Sequence, residues 1–309
     1  MTEGDVSARE QETISARRAV GAPRGSLADN VPGQWAIVEL FRAQDVAAER
    51  SRFARLFGMS PLTTESKPWY DAAVSEIAVG TELGRLSEDW VVLHALPLGT
   101  GATIDHLVAG PGGVFIINTR HHPGQTVWAS QRAFLVAGIR HPYIRNMEYE
   151  MGRSERLLSA AVAKRGHPVP VEVAGILAVV AAKNITVREK HRDVTVLPTT
   201  AVVSWLTNRE TVLSPADVVE IGRAAQLWST WNPGGQVGAD VTGGIALPQT
   251  VAGDREALGE RFLALRAEVR SAWRLQVLWA TVTTLIGAGG FVLITYSILV
   301  NALASLATR

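Results

Sequence analysis

The chain has no cysteine, which excludes disulfide bridges, cysteine-ligated zinc and thiol nucleophiles and suits a reducing compartment. Net charge is almost absent too. Lys and Arg number 30 against 29 Asp and Glu, for a formal charge of +1. No global basic field marks the chain for nucleic acid, so any such surface must be a local patch. The opening residues, MTEGDVSAREQETISARRAVG, lack the apolar core of a secretory signal, so export of the bulk of the chain is not expected. H-E-x-x-H, EF-hand and G-x-S-x-G patterns are also missing. Gly110-Pro111-Gly112-Gly113 lacks the Lys and Ser/Thr of a phosphate loop and leads into a strand, so it reads as a plain turn. Gly99-Thr100-Gly101, without the rest of a dinucleotide fingerprint, reads the same way.

What is present divides the 309 residues into segments, with room for one or two domains and a sizeable core. Residues 1–33 mix charge, Ser, Gly and Pro with few large apolar groups and read as a disordered arm. Residues 34–60 place apolar groups at helical spacing, predicting one amphipathic helix docked on the main domain; the alternative, a helix lying on a membrane surface, is disfavoured because acids dilute its polar face. Residues 67–231 alternate helical and strand patterns, an α/β domain with a mixed central sheet and flanking helices. Within it, VEVAGILAVVAA (171–182) reads as a fully buried strand, and Ala201 to Leu206 as a further strand. Ser214-Pro215-Ala216-Asp217 is a helix start with Ser as its cap. Residues 232–253 form a glycine-rich linker. Residues 254–274 are amphipathic and juxtamembrane, 275–300 a transmembrane helix and 301–309 a short tail. No charge occurs from Leu275 to Thr308, and Val277 to Val300 alone would span about 36 Å as a helix, against a bilayer core of ~30 Å. Arg261, Arg266, Arg270 and Arg274 precede the span and Arg309 follows it. The positive-inside rule then predicts a single-pass membrane protein whose soluble domain is cytoplasmic.

The stretch IDHLVAGPGGVFIINTRHH (104–122) predicts a β-hairpin. Pro111 suits the first corner of a tight turn and the glycines suit its positive-φ corner. If Gly110 pairs with Gly113, Asp105 lies opposite Asn118, and Arg120 points the same way as Asn118. His106, Val108, Phe115 and Ile117 then pack the other face, and a slip of one residue would scatter the polar set. Residues 69–86 predict a helix carrying Glu76. Gly80, one turn on, suggests a close backbone approach to the sheet. By spacing alone Glu76 is an ordinary solvated helix residue. Met147 to Ala163 predicts another helix whose acids and arginines suit pairing along its own surface.

Three pieces, PWYDAAVSEIAVG (68–80), IDHLVAGPGGVFIINTRHHPG (104–124) and HPYIRN (141–146), resemble the nuclease-related domain (NERD) family and, more distantly, the PD-(D/E)XK nuclease core. The resemblance covers roughly Lys67 to Thr186 and runs weakly on to Trp231. It implies a restriction-endonuclease-like fold and a hydrolase acting on DNA or RNA with Mg²⁺ or Mn²⁺. It places Glu76, Asp105, Asn118 and Arg120 at the catalytic positions, with Glu76 and Asp105 as metal ligands. The chain departs from the pattern at two of these: Asn118 stands where the acid belongs and Arg120 where the Lys belongs. An Asn carbonyl binds Mg²⁺ more weakly than a carboxylate, whereas a guanidinium can grip phosphate at two points but cannot lose its proton. His122 is a candidate base, and Arg140, Tyr143, Arg145 and His122 are candidate nucleic-acid contacts. The alternative is a non-catalytic module, tethered to the bilayer through residues 275–300, that binds nucleic acid or protein.

Overall fold

A computed structural model of the chain describes residues 26–47, 50–98, 103–189, 191–233 and 252–307. The elements run α1 (Gln34–Asp45), α2 (Arg52–Leu56), α3 (Lys67–Leu83), β1 (Val91–Pro97), β2 (Thr103–Gly110), β3 (Gly113–His121), β4 (Thr126–Ala129), β5 (Phe134–Val136), β6 (Ile139–His141), α4 (Tyr143–Lys164), β7 (Val173–Val180), β8 (Asn184–Val187), β9 (Val194–Pro198), α5 (Val202–Thr207), α6 (Pro215–Ala225), α7 (Trp228–Trp231) and α8 (Ala252–Ala307). The described residues fall into two compact units, one drawn from residues up to 40 and from 68–233, the other from 41–67 and 252–307.

The first unit is built on a mixed sheet ordered β1-β2-β3-β7-β9. Its β1-β2 and β2-β3 pairs are antiparallel, and its β3-β7 and β7-β9 pairs are parallel. Both faces are covered, which explains why β3 and β7 read as near-continuous apolar runs. On one face Leu107, Val114, Ile116 and Leu177 pack with Met147, Met151 and Leu158 of α4. On the other, Val108, Phe115, Ile117 and Ile176 pack with Val79 and Leu83 of α3. Each such side chain, fully buried, contributes about 1.5–3 kcal/mol. The layering α3, sheet, α4 is the frame on which the site is built. A second sheet, β6-β5-β4-β8, extends from the end of β3. Gly138, at a φ of 85°, turns β5 into β6.

Several expectations need correcting. Ordered structure begins before residue 34. Leu27–Asp29 form a 3-10 turn capped by Ser26, with Leu27 buried; residues 1–25 of the expected arm lie outside the described residues. The single helix expected over 34–60 is two helices, α1 and α2. Ala201 to Leu206 is helical, Ala201 closing a 3-10 turn and the rest lying in α5, which follows the last sheet strand and buries only Val202 and Leu206, a helical spacing. Gly80 does permit a close approach, but first to Pro32. A Cβ there would lie 2.4 Å from Pro32 Cγ and 3.7 Å from His106 Cε1. The helix start at Ser214 has the expected cap, completed by Asp217 as a reciprocal capping box.

In the second unit α8 is one continuous helix. The expected division into a juxtamembrane helix, a span and a tail is not a break in secondary structure. Most of the linker expected over 232–253 lies outside the described residues. Arg255–Ile298 is long and apolar enough to cross a membrane, with a mean hydropathy of 2.0 in its most apolar window. Around its charged turns Arg261 pairs with Asp45, and Arg50 meets Glu268 at 3.1 Å.

Candidate active site

The hairpin has the register expected from its turn: Gly110 pairs with Gly113 and the ladder runs on to His106 with Ile117. There β2 and β3 part, while β3 continues alongside β7 as far as His121 with Val180. Asp105 and Asn118 are the first residues past the last β2-β3 pair, at the mouth of this fork. The backbone N–H of Thr119 turns towards the departing strand and donates to Asp105 Oδ2 at 2.6 Å. Asn118 faces α4, its Nδ2 donating to Glu150 Oε2 at 2.5 Å. Arg120 donates from Nη1 to the Thr119 carbonyl at 2.9 Å and lays its guanidinium 4.6 Å from the centre of the Tyr143 ring. From the opposite layer, Glu76 on α3 is buried and accepts the N–H of Gly33.

Asp105, Asn118 and Arg120 therefore meet Glu76 where the sheet opens, and α4 adds a fifth polar group, Glu150, that sequence reasoning left among the helix's surface acids. A signal for it existed. Glu150 stands seven residues after Tyr143 and three after Met147, on the turn of α4 that carries Met147, Met151 and Ser154 inward. The other α4 charges also reach outward to neighbours. Glu148 meets His191, Arg153 the Leu98 carbonyl and Glu155 the Val173 N–H, so the expected pairing along the helix gives way to contacts between elements.

Three carboxylates share this site with one guanidinium. Burial raises Glu76 well above the usual carboxylate range, and the Asp105 charge adds to it, with Arg120 and the Gly33 N–H opposing. Burial also raises Asp105, against Arg120 and the Thr119 N–H. Burial raises Glu150 as well, against the Asn118 amide and Arg120. His122 is lowered to about 4 by burial, then by His141, Arg120 and His121, so at neutral pH it is an uncharged, weak base. Asn118 Oδ1, Arg120 Nε and His122 Nε2 are buried without a hydrogen-bond partner, a cost of about 1–3 kcal/mol for each such group.

The donor set fits magnesium, which takes hard oxygen ligands, often one or two carboxylates with waters making up the rest. Glu76 and Asp105 are the carboxylates, and the unpartnered Asn118 Oδ1 is an oxygen with nothing else to bind. Among the described residues no three His, Asp or Glu side chains close on one point as a ready-made cage. A cation here would therefore keep part of its water shell.

The other candidate residues lie around this cluster. The Tyr143 ring stacks on His141 at 4.9 Å and 17° and lies 5.9 Å from the His122 ring. With Arg120 it is thus already engaged inside the protein. Arg140 and Arg145 are exposed, Arg140 donating to the Arg132 carbonyl.

Next to the fork, His106 is fully buried, its Nδ1 2.8 Å from His94 Nδ1 and its Nε2 without a partner. Burial and His94 hold its pKa well below the usual value of 6.5. The native imidazole stays neutral where the unfolded chain takes up a proton, so its contribution to stability is lost as pH falls below about 6.5. The raised site carboxylates act with the opposite sign. Urea unfolding between pH 7 and 5.5 should therefore give His106→Phe a stability profile that differs in slope from wild type by up to about 1.4 kcal/mol per pH unit. Coincident slopes would mean that this imidazole is not held neutral.

Compared with known proteins, residues 72–178 match the NERD family, described as the nuclease-related domain. No curated protein and no solved structure matches the chain.

Proposed function

We propose, taking residues 72–178 as a nuclease-related domain, that the chain is a membrane-anchored, metal-dependent hydrolase of phosphodiesters. The observation that carries this reading is the convergence of Glu76, Asp105 and Glu150 around Arg120 at the fork between β2 and β3. Glu76, Asp105 and Asn118 Oδ1 would hold Mg²⁺ or Mn²⁺, which when bound polarises phosphate and activates water. Arg120, already oriented by the Thr119 carbonyl and Tyr143, presents its remaining N–H groups to a phosphate oxygen. Neutral His122 can accept a proton at Nε2. Arg140 and Arg145, exposed beside the site, suit contacts to the backbone of DNA or RNA.

The apolar part of α8 is the anchor. Four arginines on its N-terminal side, Arg261, Arg266, Arg270 and Arg274, favour a cytoplasmic place for the nuclease-related domain.

A second reading has its own support, since Asn118 and Arg120 replace the acid and Lys of the family pattern: a tethered module that holds nucleic acid or protein without cutting. Incubating the full chain in detergent with single- and double-stranded DNA and RNA, with Mg²⁺ or Mn²⁺, decides between them. Hydrolysis is expected, falling at least ~10²-fold in Asp105→Ala. Equal and negligible degradation by the two proteins would refute catalysis and leave the binding reading.

A further inference from the structure

The segment 52–59 belongs to the second unit and carries four large apolar side chains in a stretch of seven residues. Phe53 is 74 % exposed, Leu56 56 %, Phe57 50 % and Met59 57 %. Single exposed apolar residues are ordinary on a soluble surface; a fixed cluster like this one is not.

Its position is set by contacts with α8. Gly58, at a φ of 68°, packs so tightly that a Cβ would lie 2.5 Å from the Ala272 carbonyl oxygen. The Leu56 carbonyl accepts from Trp279 Nε1 at 3.0 Å, and the Phe57 and Trp279 rings lie 5.4 Å apart. The segment thus flanks α8 from Ala272 to Trp279, about 10 Å of helix. Those turns take α8 from its last arginine, Arg274, into the uncharged stretch that begins at Leu275.

Building on the reading of α8 as a membrane anchor, we infer that residues 52–59 form a second membrane contact, a short amphipathic segment lying in the interfacial layer of the bilayer beside the span. Phe53, Leu56, Phe57 and Met59 enter the acyl boundary at the level of Trp279, a residue type favoured at that depth. Arg52 and Arg55, both exposed, meet anionic headgroups, the charge pattern of interfacial helices. Lipid is the occupant because the cluster continues the apolar surface of the span itself. The consequence is orientational. A single helix can rotate about its own axis in a bilayer, and a second contact beside it limits that rotation for the unit that holds both.

The absence of cysteine makes the test direct. Single-cysteine variants of the full chain, Phe53→Cys, Ile286→Cys and Val212→Cys, are labelled with an environment-sensitive fluorophore and reconstituted into phosphatidylcholine–phosphatidylglycerol vesicles. Quenching by lipids doxyl-labelled at set depths is compared with quenching by aqueous iodide. The label at 286 should be quenched by deep doxyl groups and that at 212 by iodide. The label at 53 should be quenched by shallow doxyl groups and be at least several-fold less sensitive to iodide than that at 212. Iodide sensitivity at 53 equal to that at 212, with 286 in lipid, overturns the interfacial contact alone. Shielding of 53 from both quenchers overturns it in favour of a protein partner or a second copy. A label at 286 open to iodide overturns the anchor and the inference together.

Discussion

On the proposed reading of the site as a magnesium centre, replacing Glu150 by Gln should weaken magnesium binding by about 10–100-fold and leave the fold intact. The substitution keeps the shape of the side chain and a carbonyl oxygen to accept the 2.5 Å bond from Asn118 Nδ2, so it removes charge without removing a contact. Asp105 and Glu150 repel each other in a buried site, and Arg120 offsets only part of that repulsion. A divalent cation would relieve the same repulsion, and on that reading the acid's value to the site is its charge. Titrating Mg²⁺ or Mn²⁺ into wild type, Glu150→Gln and Glu150→Ala by calorimetry separates the possibilities. If Glu150 only holds Asn118 in place, Gln behaves as wild type and Ala alone binds weakly. If Glu150 supplies the charge lost at position 118, both variants bind weakly. Without metal, Glu150→Gln should melt at or above wild type at neutral pH, because a raised buried carboxylate is a stability cost above its unfolded range.

The second large effect is expected from moving the acid. Asn118→Asp restores a carboxylate at the family's position but faces it directly with Glu150. Two carboxylates at hydrogen-bonding distance cannot both be ionised cheaply, so this variant should melt lower than wild type at neutral pH in chelator and recover on adding Mg²⁺. Combining it with Glu150→Gln returns the site to its original charge with the acid on β3 in place of α4. The double variant should recover stability and metal affinity, with a coupling of at least ~1 kcal/mol between the two positions. Additive effects would show that the side chains at 118 and 150 do not act as one pair. Adding Arg120→Lys to the double variant then tests the remaining departure from the family pattern by hydrolysis rate alone.

How much of this was legible in the chain depends on the range of each signal. The hairpin register was readable because Gly-Pro-Gly-Gly pins the turn and side chains alternate with a period of two. Asp105 opposite Asn118 follows by counting. The helix start at Ser214 was readable for the same local reason, since cap, proline and acid stand within four residues. Glu76 was not readable from its own spacing, because an isolated glutamate on a helix has no local mark; only the family resemblance singled it out. Glu150 escaped altogether. It stands among the other charges of one helix, Glu148, Arg153, Glu155 and Arg156, and its partner, Asn118, is 32 residues away on another element. Residues 201–206 misled for a related reason: a short apolar run is compatible with strand or helix, and the choice fell to where β9 ends.

By itself, then, the sequence determined the features that short-range geometry dictates. It set a paired hairpin with its polar residues in one register, one apolar strand meant for burial on both faces, and a last segment long and uncharged enough to cross a bilayer. Tertiary structure alone decided that β2 and β3 part just past His106 and Ile117, and that helices from opposite faces of the sheet bring Glu76 and Glu150 to that opening. It also decided that residues 56–58 lie against α8 between Ala272 and Trp279. The physical reason is that alternation, capping and length are properties of neighbouring residues, whereas a shared electrostatic site is a property of elements that meet only when the chain has packed.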